Sequence, residues 1–244
     1  MRYTGINLMV PTRRRQRKVW RLIESTRAMA TDMSRVRFSF LVDPQEQSTV
    51  DFLTHAQTAC PRQIITNAEP GPPNLARFYN QLYEATEYVG DEWLVSMVGD
   101  DMYWLTIDWD GWILDAVNRH DGLGIFHCDD CYLHHGRIPV NLFMARPFIR
   151  AACGDTMKWM DERFCVDFID VVWREVADRI GQNHYLSNVK LHHDHEGRKP
   201  RGEQDTTIRR LRARVHEARK HAGAIPGIVE AHVRNLRDAG VMNS

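Results

Sequence analysis

The first hundred residues alternate between short apolar runs and stretches with helical spacing. Ile6 to Val10 is a largely apolar run stopped at Pro11, the pattern of a buried strand ended by a turn. Arg13 to Met29 follows with Val19, Trp20, Leu22, Ile23 and Thr26 at helical spacing. Val36 to Val42 alternates apolar and polar positions and closes at Asp43-Pro44, as a strand should. Ser48 opens a second helical pattern with Val50, Phe52 and Leu53, and Gln63 to Thr66 reads as a third, short strand. After Gly71-Pro72-Pro73, Asn74 is placed to cap a helix running towards Glu87. Trp93 to Val98 is a fourth strand, ending in Gly99-Asp100-Asp101.

The second half is less regular. Trp112 to Val117 has helical spacing, while Gly124 to His127 and Val140 to Met144 read as strands. Asp161 to Ile180 reads as one long helix with Phe164, Phe168, Val171, Val172, Val176 and Ile180 on its apolar face. Tyr185 to Leu191 is a strand leading into His192-His193-Asp194-His195. From Asp205 the pattern is one or two helices broken at Ile225-Pro226-Gly227.

Strands alternating with helices imply an α/β fold, a mostly parallel sheet with helices on its faces. In such sheets ligands bind beyond the carboxyl ends of the strands. Thr12-Arg13, Asp43 and Asp100-Asp101 all fall at those ends. A length of 244 residues suffices for one sizeable α/β domain, and 43% hydrophobic with 26% charged residues excludes a disordered or fibrous chain. No apolar run approaches the roughly 18 residues of a membrane span, and the first ten residues lack the pattern of a secretory signal. The five cysteines show no framework spacing, which points to reduced thiols and a cytoplasmic setting. The formal net charge of +0 gives no overall field towards nucleic acid or an anionic membrane. Basic residues nevertheless gather at Arg13, Arg14, Arg15, Arg17 and Lys18, and again between Ile208 and Lys220.

Two adjacent carboxylates, Asp100 and Asp101, repel each other unless a cation or strong donors offset their charge. Their oxygens suit magnesium or manganese, which phosphate enzymes hold between one or two carboxylates and the substrate's phosphates. The alternative is a turn that uses Asp for local hydrogen bonds. His193 and His195 share one face of an extended segment, so an imidazole from there can reach a metal; a surface histidine cluster is the other reading. Cys128-Asp129-Asp130-Cys131 with His134-His135 has half the spacing of a zinc site, but no second such pair exists. Asp167 and Asp170 lie three apart, on one face if helical, where either can serve as a general base or as a helix-dipole partner.

Read together, these segments resemble the inverting GT-A glycosyltransferases of the family 2-like group, over about Ile6 to His195. INLMVPTRRR resembles that family's first strand and its nucleotide-contacting turn, which implies Pro11, Thr12 and Arg13 as donor contacts. FSFLVDP resembles the second strand, with Asp43 as the acid that contacts base or ribose. NLARFYNQLYEAT resembles the helix before the metal strand, with Arg77 and Asn80 facing the donor. LVSMVGDDM resembles the strand ending in D-x-D, with Gly99 in place of the first acid; Asp101 then matches the metal-binding acid and Asp100 its helper. DVVWREVADRIG resembles the acidic segment that supplies the base, here Asp170 with Asp167 as its alternate. SNVKLHHDH resembles the strand ending in H-x-H, with His195 as a metal or donor contact and His193 its alternate.

The resemblance implies a Rossmann-like GT-A fold with a helical C-terminal extension. Residues 1–204 would form the transferase domain, 1–102 its nucleotide-sugar half and 103–204 its acceptor half, followed by a basic extension at 205–244. It further implies a Mn2+ or Mg2+ cofactor, a nucleoside-diphosphate sugar donor with a UDP-sugar foremost, and inversion by single displacement. The acceptor is left open between a glycan, a lipid-linked sugar and a hydroxylated base in DNA. Two other functions compete: a nucleotide-sugar-binding module without turnover, and a metal-dependent phosphotransferase or nuclease, for which the chain lacks a Walker-type glycine loop.

Overall fold

In the computed structural model, residues 1–56, 61–68, 73–86, 89–132, 136–155, 158–165, 167–195 and 214–242 are described. The first half is the expected alternation: β1 (Gly5–Thr12), α1 (Gln16–Met29), β2 (Val36–Val42), α2 (Gln47–His55), β3 (Arg62–Thr66), α3 (Leu75–Ala85) and β4 (Trp93–Met97). Asn74 caps α3 as its position predicts, accepting the Arg77 amide at 3.0 Å. The second half contains β5 (Met102–Trp104), α4 (Trp109–Arg119), β6 (Ile125–Asp129), β7 (Leu142–Ala145), α5 (Arg146–Cys153), α6 (Ile169–Arg179), β8 (Asn183–His193) and α7 (Ile225–Asp238).

The strands form an eight-stranded sheet in the order β3-β2-β1-β4-β7-β6-β8-β5. β1 pairs in parallel with both β2 and β4, β2 with β3, and β6 with β8. β7 and β5 run against their neighbours. The chain steps outward from β1 to β3 and then crosses back to β4 on the other side of β1. That reversal opens a crevice between the carboxyl ends of β1 and β4. Both faces of β1 are covered, so Ile6 to Pro11 is apolar except Asn7, whose Oδ1 accepts the Ser39 hydroxyl at 2.9 Å and whose carbonyl accepts that of Ser96 at 3.1 Å.

Two sequence expectations change, and two elements are new. The single helix expected over Asp161 to Ile180 is confined to Ile169–Arg179. Before it, the Asp161 carboxylate accepts the Arg163 amide and grips its guanidinium, and Phe168 adopts a left-handed φ of 76°, which no helix interior tolerates. Phe164 is buried from this loop and mimics a helical apolar position. β5, with three residues, is too short to show a period; α5 is absent from the sequence expectations although Phe148, Ile149, Ala152 and Cys153 recur at helical spacing after Pro147, an ordinary start signal. Ile225-Pro226-Gly227, expected as a break, is the first turn of α7.

α7 packs on α5 and α6 and shares the main hydrophobic core through Ile228, Val229, Val233 and Leu236. His232 Nδ1 and Asn235 Nδ2 both bond the Ala152 carbonyl at 2.9 Å, and the His232 ring stacks on Trp173. Among the described residues no helix is long and apolar enough to cross a membrane.

The buried His127 in β6 gives the fold a pH dependence. Its Nε2 lies 3.0 Å from Asn183 Oδ1, and the Asn183 amide donates to Asp178, which fixes Nε2 as the donor. Nδ1 is buried without a hydrogen-bond partner, so a second proton has no acceptor. Burial therefore lowers the His127 pKa to about 4. The unfolded chain binds this proton below pH about 6.5 and the folded chain only near 4, so stability is full above the former and declines towards the latter. His127 should account for a loss on the order of 3 kcal/mol between pH 7 and 4. Urea unfolding at the two pH values, on wild type and His127→Gln, checks this; an equal decline in both proteins contradicts it.

A candidate donor and metal site at the switch point

A cleft of about 310 Å³ opens beyond the carboxyl ends of β1, β2 and β4. Pro11, Thr12, Arg13 and Arg15 line it from the end of β1, Asp43 from β2, and Gly99, Asp100 and Asp101 from β4. Asp167, Ile169 and Asp170 close it from the start of α6, and His193 and His195 from the end of β8. Residues scattered over more than 180 positions of sequence thus meet because the sheet order brings β4, β6 and β8 to one side of the switch point.

The acidic pair divides its work. Asp100 is buried and both of its oxygens are engaged: Thr12 Oγ1 donates to Oδ2 at 2.8 Å and Arg15 NH1 to Oδ1 at 2.6 Å. Burial raises its pKa, with Arg15 opposing and the neighbouring Asp101 charge adding to the rise. For Asp101 burial also acts upward, but the hydrogen bond and charge of His193, with Arg15 and Lys18, outweigh it and hold the carboxyl well below the usual range. His193 Nε2 lies 3.4 Å from Asp101 Oδ1, and Arg15 and Lys18 lie 3.5 and 4.0 Å from Oδ2.

Strand pairing sets this geometry. In the antiparallel β5–β8 ladder Met102 faces His193, and the Asp194 amide donates to the Asp101 carbonyl at 2.8 Å. Gly99 has a local reason: a Cβ there would lie 2.8 Å from Asp101 Oδ1, so an acid at this position would displace the Asp101 carboxylate. The side chains fit a divalent cation in part. Two ligands about 2.1 Å from one ion sit roughly 3 Å apart at octahedral angles, close to the Asp101–His193 separation. No group of three or more His, Cys, Asp or Glu is disposed around one ion among the described residues, so phosphate oxygens and water would complete the shell.

At the far end of the cleft Asp43 accepts the Asn67 amide at 2.9 Å, with Arg13 Nε at 3.4 Å. Glu46, almost fully buried, takes the Arg14 amide and Nε at 2.7 and 2.9 Å and thereby shapes the turn after β1. Asp167 is half-buried, and burial raises its pKa against the opposing charge of Arg219. Asp170 Oδ1 accepts the Val171 amide in the first turn of α6. His195 stacks on Tyr132 at 5.2 Å and stands 4.9 Å from the His193 ring.

Arg77 and Asn80 are not among the residues lining the cleft. Asn80 exchanges hydrogen bonds with the Met160 backbone and donates to Glu162, which fastens α3 to the loop ahead of α6; the Arg77 guanidinium lies towards the Phe78 ring. Cys128 is buried, with its thiol pKa pushed up by burial, and His134 and His135 lie outside the described residues. Glu46, Asn67 and Tyr79 carry no sequence signal as site residues, and Lys18 only its place in the basic run after β1. Tyr79 donates to the Val98 carbonyl at 3.2 Å and so supports the turn that presents the acids.

The eight-stranded sheet in the order β3-β2-β1-β4-β7-β6-β8-β5, with helices packed against it and the cleft at its switch point, is the GT-A architecture. The chain has that fold, as solved structures show. The mannosyltransferase PcManGT from Pyrobaculum calidifontis, in complex with GDP-Man and Mn2+, matches with a TM-score of 0.56 and 12% identity, over 100% of this chain and 77% of its own. Glucosyl-3-phosphoglycerate synthase from Mycobacterium tuberculosis, in complex with Mn2+, UDP-glucose and phosphoglyceric acid, matches at 0.55 and 10% identity, over 88% and 79%. S. aureus TarS matches at 0.55 and 10% identity over 77% of this chain, which spans 35% of the length of TarS. No family model matches the chain, and no curated protein matches it in sequence.

Proposed function

We propose that this protein is a metal-dependent, inverting glycosyltransferase that moves a sugar from a nucleoside-diphosphate sugar to an acceptor hydroxyl. The observation that carries this reading is the convergence of Asp101 and His193 with Asp167 and Asp170 on one cleft at the switch point. The fold likeness to glycosyltransferases with UDP- and GDP-sugar donors supports it. Residues 1–102 would hold the donor, with Asp43 and Asn67 towards base or ribose and Arg13 and Arg15 towards the diphosphate. Residues 103–195 and α7 would supply the base and the acceptor side.

Asp101 and His193 would hold Mn2+ or Mg2+, whose chemistry when bound is to neutralise charge on the departing diphosphate. The chain's own groups do the rest. Asp167 takes the proton of the acceptor hydroxyl as that oxygen bonds to the anomeric carbon, and the carbon–oxygen bond to the diphosphate breaks on the opposite face. Asp167 is preferred to Asp170 because burial raises its pKa towards the range a base needs, whereas Asp170 already holds the Val171 amide. One base and no enzyme nucleophile give inversion.

Thermal melting against UDP, GDP and their sugars, with and without Mn2+, tests the reading. A melting temperature raised by one nucleotide family, and raised further with Mn2+, is the expected result. No shift with any of them returns the acid pair to the role of a structural turn.

A further inference from the structure

Arg15 precedes the first turn of α1, and its side chain is only 10% exposed. Its guanidinium touches Asp100 at 2.6 Å and stands 3.5 Å from Asp101, yet Arg15 also lines the donor cleft. Lys18, one turn on, lies 4.0 Å from the same Asp101 oxygen. A guanidinium fork suits a carboxylate pair and a diphosphate equally well. It cannot serve both fully, and the acids cannot serve two cations equally well. A divalent ion at Asp101 would stand within a few ångströms of the Arg15 charge, where like charges repel strongly. The anionic diphosphate is the group that satisfies both cations at once.

We propose that Arg15 is the built-in counter-ion of the Asp100–Asp101 pair in the donor-free protein and competes with the divalent cation for it, passing to the donor's diphosphate when nucleotide binds. This rests on the donor-site reading above. In the free protein Arg15 keeps two adjacent buried carboxylates from repelling each other and depresses the affinity for metal alone. With nucleotide present, the same charge moves to a phosphate oxygen and frees Asp101. Metal and nucleotide then favour each other's binding reciprocally.

Calorimetric titration of the full chain with Mn2+ alone and with UDP or GDP alone tests this, on wild type, Arg15→Gln and Arg15→Lys. Removing the competing charge should strengthen Mn2+ binding in Arg15→Gln by about tenfold while weakening the nucleoside diphosphate by about tenfold. Arg15→Lys keeps the charge but loses the fork, and should shift both affinities in the same two directions by less. The opposite signs are the discriminating readout, because a merely structural Arg15 would weaken both or neither. Mn2+ binding that is unchanged or weaker in the variants overturns the proposal, and Arg15→Lys decides it if Arg15→Gln does not fold. A wild type that binds neither Mn2+ nor nucleotide overturns the donor-site reading itself.

Discussion

Asp101→Asn should lower kcat/KM for sugar transfer by about a thousandfold and abolish the Mn2+-dependent part of the nucleotide-induced thermal shift. The magnitude follows from the position of the carboxylate. Asp101 is 8% exposed, and His193, Arg15 and Lys18 hold its pKa well below the usual carboxylate range, so it is ionised at neutral pH. Asparagine keeps the shape and loses the charge, so binding of a hard cation fails while the packing of the turn survives. Asp100→Asn makes the contrast, since both Asp100 oxygens already serve Thr12 and Arg15. Its loss should appear in stability as well as turnover, because the Arg15 charge is then left facing a neutral amide in a buried site. Steady-state kinetics with melting curves for both variants separate the two roles. Equal metal-dependent shifts in wild type and Asp101→Asn would remove Asp101 from the metal site.

Asp167→Asn should lower kcat by two to three orders of magnitude while leaving nucleotide affinity within about twofold of wild type, as expected for loss of a general base. A base that works above the ordinary aspartate range should show its acidic limb there. Burial raises the Asp167 pKa, so the wild-type profile of kcat/KM should fall on the acid side at a pH above the usual carboxylate value, and that limb should vanish in Asp167→Asn. Asp170→Asn should keep the limb and lose turnover by about tenfold or less, through a weakened start of α6. If Asp170→Asn is the variant that loses the limb, the proton passes to Asp170 instead.

The parallel half of the fold was legible because each of its elements carries a local pattern. β2 occupies the residues its alternation marks, Asn74 caps where a cap belongs, and the apolar run of β1 announces burial on both faces. The second half was legible only in outline. Residues 161–165 and 167–168 have the spacing of a helix but lie outside one, with the Asp161–Arg163 grip and the left-handed Phe168 leaving no periodic trace. β5 is three residues long and exists because β8 pairs with it.

Composition, periodicity and residue type by themselves determined the class of fold, the carboxyl-end position of Thr12, Asp43, Asp100 and Asp101, and the candidacy of Asp167, Asp170, His193 and His195. Those properties are local, written in the order of neighbours along the chain. Only the tertiary structure decided that His193 stands against Asp101, that Thr12 and Arg15 occupy both oxygens of Asp100, and that Asn80 fastens a loop outside the cleft. Such facts depend on strand order and register, which are selected by burial summed over the whole sheet rather than by any one segment.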